Sequence, residues 1–336
     1  MSHTPLLVTA FRDPSLSAVI LSSTPLYYTE GADPAVDRPA HIRAGSGLAQ
    51  VPRGLALIQD DANFLALVDP HGGGVRAIAL PAGKGGVRLF DKGRGNKKEK
   101  LDLEACVAIE RDGETVLLAF GSGSTGRREQ ILVVRGWELA RADVTLVDAE
   151  ALYDRLCEAP GYAPGRLNIE GAIALDDRLR LFTRGNGKAR HGKAPVDATC
   201  DLALDELLAY LDAPDRVIPP KPTHVVQYEL GTLDGIPFSF TDATRWGAGV
   251  IYSAAAEASP DAIEDGVVTG SALGVIDGAG RCRWTAITTP TGEPFAGKVE
   301  GIAIADEAKG HLHAVVDADD PEVASLLCLL ELRGHD

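Results

Sequence analysis

The sequence is poor in the features that mark several large protein classes. It has one methionine, three tryptophans and aromatic residues at only 5%. No apolar run approaches the ~18 residues that a membrane-spanning helix needs, which excludes a helical membrane protein. The opening MSHTPLLVTAFRDPS has no basic start followed by a long apolar stretch, so no secretion signal is expected. The five cysteines, Cys106, Cys157, Cys200, Cys282 and Cys328, are odd in number, scattered, and never in a CxxC pair. That argues against a disulfide frame or a zinc knuckle and points to a reduced, cytoplasmic protein. There is no GxSxG, so the usual hydrolase elbow is missing, and no Gly-Lys pair runs into Ser or Thr, so there is no P-loop. Positive charge is short as well. Lys and Arg number 33 against 48 Asp and Glu, a net charge of −15, which disfavours nucleic acid as a partner.

What is present is a repeat of strand signals. Short runs rich in Val, Ile, Leu and Ala are separated by Gly, Asp, Asn and Pro. One phrase recurs: Asp102-Leu103-Glu104-Ala105, Asn168-Ile169-Glu170-Gly171 and Lys298-Val299-Glu300-Gly301 each lead into an apolar run. Looser copies surround Ser46 and Asp242. The anchors Ser46, Glu104, Glu170, Asp242 and Glu300 are 58, 66, 72 and 58 residues apart. Each is followed by a second strand-like run with a polar end, and in most units by a third and fourth. Four short strands per unit of roughly 60 residues is the pattern of a β-propeller.

The expectation is therefore one all-β domain over residues 1–336, a five-bladed propeller. Its blades open with strands near 46–51, 103–109, 169–175, 238–244 and 299–305. VILSSTPLYYT, near the N-terminus, is expected to supply the fourth strand of the last blade and close the ring. Six blades are the alternative if the first 40 residues hold further strands. Residues 148–159 and 202–213 have helical spacing and predict two short helical insertions.

In such a meander the first strand of each blade lines the central channel, and the second returns to the same face. The anchors and the polar tails should then meet at one mouth. The tails supply Asp60, Asp61, Ser122, Ser124, Arg184, Asn186, Glu257, Asp317, Asp319 and Asp320. Converging carboxylates repel each other and are costly to desolvate. A cation, basic partners, bound protons or water would relieve them, and all-oxygen ligands suit Ca²⁺ or Mg²⁺ better than Zn²⁺. The alternative is that each acid hydrogen-bonds a neighbouring blade and is structural. Basic residues cluster at 84–100 and 184–193, with Arg127 and Arg128 after GSGSTG, which suggests a small anionic ligand. GSGSTG matches GxGxxG but runs into a strand, not a helix, so it is not a dinucleotide site.

DLEA, NIEG and KVEG, with SGLA, TDAT, FGSGS and VVDADDP, make the chain similar to the phytase-like and esterase-like bacterial β-propellers. Within that group it most resembles an uncharacterised domain-of-unknown-function family. The resemblance implies metal ligands at Glu104, Glu170, Asp242 and Glu300, with Asp319 and Asp320 as further candidates. It also implies an anion held by Arg127, Arg128, Arg184 and Lys188. Two functions remain open. One is a Ca²⁺- or Mg²⁺-dependent hydrolase of a phosphoester or related anionic ester, with Glu170 taking the proton of the attacking water. The other is a non-catalytic propeller that binds a small anionic ligand or a partner protein.

Overall fold

The computed structural model describes residues 5–72, 74–137, 142–186, 189, 192–258 and 267–335. Among them the chain is all-β with two short α-helices, and no helix is long and apolar enough to cross a membrane. The N-terminal segment holds β1 (Leu6–Thr9), β2 (Phe11–Arg12) and β3 (Ser17–Pro25). A four-stranded sheet follows, β4 (Gly45–Val51), β5 (Gly54–Gln59), β6 (Phe64–Asp69) and β7 (Gly74–Ala79). A second comprises β8 (Leu103–Arg111), β9 (Glu114–Gly121), β10 (Gln130–Arg135) and β11 (Asp143–Asp148). The third comprises β12 (Ile169–Leu175), β13 (Arg178–Thr183), β14 (Asp197–Ala203) and β15 (Thr223–Glu229). After the short β16 (Thr232–Leu233) come β17 (Ile236–Trp246), β18 (Gly249–Ala258), β19 (Val267–Ile276) and β20 (Cys282–Thr288). The last strands are β21 (Lys298–Asp306), β22 (His311–Asp317) and β23 (Leu326–Arg333).

Each run is an antiparallel meander, and local turn chemistry helps to set its reversals. Asp112-Gly113 and Asp234-Gly235 both sit with positive φ at each residue, the conformation a two-residue type I′ hairpin requires. The N-terminal segment crosses three runs in turn. β1 pairs in parallel with β15, β2 in parallel with β20, and β3 lies antiparallel against β23 as a fourth strand. A short parallel pairing of Ile287 and Thr288 with Ala18 and Val19 fuses the last two runs into one ten-stranded sheet.

The core lies between successive runs rather than in one central mass. One apolar cluster joins β4–β6 to β8–β10, and the next joins β8–β10 to β12–β14. Two more link β12–β15 to β17–β20 and β17–β20 to β21–β23, while a fifth returns from Val315 and Ala303 to Leu48, Leu55 and Leu57. The first strands β4, β8, β12, β17 and β21 likewise pack side by side in a closed cycle. Helices α1 (Glu150–Glu158) and α2 (Leu204–Asp212) bury Leu152, Tyr153, Leu156, Leu207, Leu208 and Leu211 in the cluster between the second and third runs.

Every first strand carries one β-bulge near its start. The register slips between Gly45 and Gly47, Leu103 and Ala105, Ile169 and Gly171, Phe240 and Asp242, and Val299 and Gly301. The extra residues are thus Ser46, Glu104, Glu170, Thr241 and Glu300. A bulge re-aims a side chain out of the pleat, so these five positions are equivalent around the ring. The fourth anchor is therefore Thr241, one residue before the expected Asp242. Asp242 stands where the other strands have Gly47, Ala105, Gly171 and Gly301. In those four strands the residue is small, and neighbouring first strands approach closely there: a Cβ on Gly301 would meet Gly47 Cα at 2.7 Å.

Candidate functional site: an acidic channel mouth

Four of the five bulged residues, all but Thr241, and residues at the ends of several second strands surround one cavity of about 400 Å³. Ser46, Glu104, Glu170 and Glu300 line it, together with Asp60, Asp61, Arg184, Asn186, Glu257, Asp317, Asp319 and Asp320. The loop carrying Phe90, Asp91, Lys92, Gly93 and Lys97 forms one wall. The cavity lining holds twelve carboxylates against six Lys and Arg residues among the described residues.

The sequence-derived candidates divide. Asp242 does not line this cavity. It is 1% exposed and accepts the backbone N–H of Ile302 through Oδ2 at 2.7 Å, while Oδ1 has no partner. Arg127 is exposed and also lies off the wall, and Lys188 is outside the described residues. Arg128 and Arg184 do reach the wall, but both are held by acids. Arg128 gives Nη1 to Asp102 at 2.6 Å and to Ser124 Oγ at 2.8 Å. Arg184 gives Nη2 to Glu257 at 2.6 Å and approaches Glu170 with Nη1 at 3.6 Å. Ser122 and Ser124 stand behind the wall, with the Ser122 hydroxyl donating to Asp102.

Sequence reasoning passed over two lysines. Lys100, 4% exposed, lies between Asp60 and Asp102, with Nζ 2.6 Å from Asp102 Oδ1. Lys298, 6% exposed, meets Glu300 at 2.6 Å and Glu257 at 3.5 Å. Asp102, Asn168 and Lys298 all stand two residues before an anchor, so the polar residue at that spacing was the available signal. Asn168 uses it to donate from Nδ2 to Glu170 Oε1 at 2.5 Å.

Burial and crowding set the protonation pattern. Burial pushes the Glu170 carboxyl up to about 8, against the pull of Arg184 and with the push of Glu300. Burial raises Asp60 to about 6 despite Lys100, and Asp317 to about 7 with help from Asp319. Glu104 is driven well above the usual carboxylate range by burial and by Asp60, Asp102 and Glu170. Asp102 goes the other way: burial alone would raise it, but Lys100 and Arg128 outweigh that and hold it low. Neutral and ionised carboxyl groups therefore stand side by side. One oxygen each from Asp60, Asp102 and Glu104 lies within 4.8 Å of the others. Glu104 has no hydrogen-bond partner among the described residues.

The sequence pattern of a family described as a family of unknown function (DUF6929) matches residues 41–332. The chain belongs to this family. No protein of curated function matches the sequence. Among solved structures it is similar to a GH43_1 enzyme from Xanthomonas citri, at 12% identity and TM-score 0.49, covering 92% of this chain and 90% of that one. A putative oxidoreductase (glucose dehydrogenase) from Thermus thermophilus gives 12% identity and TM-score 0.43, covering 92% and 99%. A glutaminyl cyclase from Myxococcus xanthus gives 12% and 0.40, covering 98% and 99%.

Proposed function

We propose that the chain is a five-bladed β-propeller whose channel mouth binds a divalent cation and hydrolyses a small polar substrate. Five meanders, five inter-sheet cores and five equivalent bulges support this blade count. The observation that carries the cation is the Asp60, Asp102 and Glu104 triad, in which Glu104 has no hydrogen-bond partner among the described residues and three carboxyl oxygens already crowd together. Ca²⁺ takes oxygen ligands at about 2.3–2.6 Å, so it could touch oxygens spaced as these are. In its absence the triad is neutralised by the Lys100 ammonium and by a proton on Glu104. A bound ion would supply charge for a polarised substrate oxygen and an acidified water.

Glu170 supports the hydrolytic part of this reading. Its Oε1 is occupied by Asn168 and faces Arg184. With its carboxyl raised to about 8, it holds a proton at neutral pH and suits the role of acid toward a leaving group. Arg128 and Arg184 are engaged by carboxylates, so they are weak candidates for gripping a phosphate. The second reading, a non-catalytic propeller, is favoured by Lys100, which already pairs with two of the three acids, Asp60 and Asp102. Metal content and thermal melting with EDTA and with added Ca²⁺ test the cation, and turnover in phosphoester and lactone screens, abolished in Glu170→Ala with the fold retained, separates the hydrolase from the non-catalytic propeller.

A further inference from the structure

Most acids of the mouth are bridged in pairs by the protein's own cations, and one neighbouring pair is not. Lys100 pairs with Asp60 and Asp102, and Lys298 lies between Glu300 at 2.6 Å and Glu257 at 3.5 Å. Arg184 joins Glu257 to Glu170, but it meets Glu170 only at Oε1. Glu104 and Glu170 hold equivalent bulges on β8 and β12, which pack side by side. Among the described residues no Lys or Arg pairs with Glu104, and Oε2 of Glu170 has no hydrogen-bond partner. Glu170 is nevertheless only 5% exposed. Both residues line the cavity, and their unpartnered oxygens are open to it rather than sealed within the wall.

This gap has the chemistry of the two that Lys100 and Lys298 fill. Glu104 offers both carboxyl oxygens and Glu170 one, and a primary ammonium carries three N–H donors. Bonds from an ammonium to carboxylates are charge-assisted, and the ammonium itself favours the ionised form of both acids. An anion finds no donor between them, and a neutral hydroxyl leaves their charge unanswered. Asp319, Asp320 and Glu322 are exposed at the rim of the same cavity, whose lining holds twice as many carboxylates as cations. Such a field draws cations inward. We infer that the mouth binds a small organic molecule by its primary ammonium group, seated between Glu104 and Glu170. The volume of about 400 Å³ lies within the range of roughly 300–1,000 Å³ found for small-molecule pockets. This inference rests on the reading of the mouth as a binding site, but not on a cation at Asp60, Asp102 and Glu104.

The test is titration calorimetry with butylamine, cadaverine and spermidine at about pH 8 and about 150 mM salt, which screens loose surface attraction. Each is run in EDTA and again with Ca²⁺. Tetramethylammonium, a charge without N–H donors, and butan-1-ol, a donor without charge, are the controls. The expected result is binding of at least one amine in EDTA, tighter than either control and weakened roughly tenfold or more in Glu104→Gln and in Glu170→Gln. Both substitutions keep the side-chain shape, and an amide oxygen at position 170 can still accept from Asn168. Melting curves check that each variant folds, and either one alone suffices for the test. No amine binding, a control that binds as tightly as the amines, or amine affinity unchanged in a folded variant overturns the inference. Failure of the cation reading shows separately, as amine binding that Ca²⁺ leaves unchanged in a protein whose melting temperature it does not move.

Discussion

Asp242 accepts the backbone N–H of Ile302 at 2.7 Å, tying the first strand of the fourth run to that of the fifth. The bond takes this residue out of the ring of bulged side chains and makes it an inter-blade tie. Burial and the nearby Glu170 and Glu300 push its carboxyl well above the usual range, so it is neutral in the folded chain. An Asn side chain can accept the same N–H, whereas Ala cannot. Asp242→Asn is therefore expected to fold normally and to leave any Ca²⁺ response intact. Asp242→Ala should lose about 1–3 kcal/mol in urea unfolding. A loss of the Ca²⁺ response in Asp242→Asn would return this residue to the ligand set.

Glu104→Gln separates a ligand from a structural acid. Among the described residues Glu104 makes no hydrogen bond that the substitution would break, and the amide removes a carboxyl crowded by Asp60, Asp102 and Glu170. Its melting temperature in EDTA should equal or exceed that of the wild type. The stabilisation by Ca²⁺ should disappear. A wild-type response to Ca²⁺ in this variant would exclude Glu104 as a ligand.

Arg184 is expected to be among the least replaceable residues of the mouth. Its guanidinium meets Glu257 at 2.6 Å and Glu170 at 3.6 Å with only 6% of its side chain exposed. Removing one member of a buried ion pair leaves an uncompensated charge and typically costs about 3–5 kcal/mol. Arg184→Met should show a loss of that order in urea unfolding, largest above about pH 8, where Glu170 is ionised as well.

The raised carboxyl groups set the direction of the pH dependence. Asp60 near 6, Asp197 and Asp317 near 7 and Glu170 near 8 all keep protons that the unfolded chain releases near pH 4. The native state therefore binds more protons across this window, and stability falls as pH rises through it. Their contribution is complete below about pH 4 and is progressively lost from about pH 4 to above pH 8. Melting temperature should decline from about pH 5 to about pH 9, opposite to the rise expected of paired, ionised acids. Ca²⁺ requires ionised ligands, so its stabilisation should be larger at about pH 8 than at about pH 5. A melting curve that climbs steadily over this range would contradict these proton assignments.

Much of the scaffold was legible because it is written in repetition. The recurring phrase of an apolar residue, Glu and then Ala or Gly marked three of the five bulges, and the expected first strands at 103–109 and 169–175 fall within Leu103–Arg111 and Ile169–Leu175. The fourth anchor slipped by one because Thr241 and Asp242 are both polar, and an acid looked like the better match to Glu104 and Glu170. Only the pairing of Phe240 with Ala254 and Asp242 with Ser253 shows which of the two is the bulged residue. Lys100 was hidden for another reason. It ends a stretch dense in Lys and Arg, several of them exposed, and nothing in its local sequence shows that the chain turns it inward against Asp60 and Asp102. Ion pairs such as Arg184 with Glu257, 73 residues away, are set by the closing of the ring and have no local signature.

The most direct test of the account is metal analysis of the purified, unchelated protein, with melting curves in EDTA and after adding Ca²⁺. The account expects close to one divalent ion per chain, a lower melting temperature on chelation, and recovery with Ca²⁺ in the wild type but not in Glu104→Gln. No bound ion, and no shift with Ca²⁺ or Mg²⁺, would contradict it and leave the Lys100 ammonium as the counter-charge that the Asp60, Asp102 and Glu104 triad was built around.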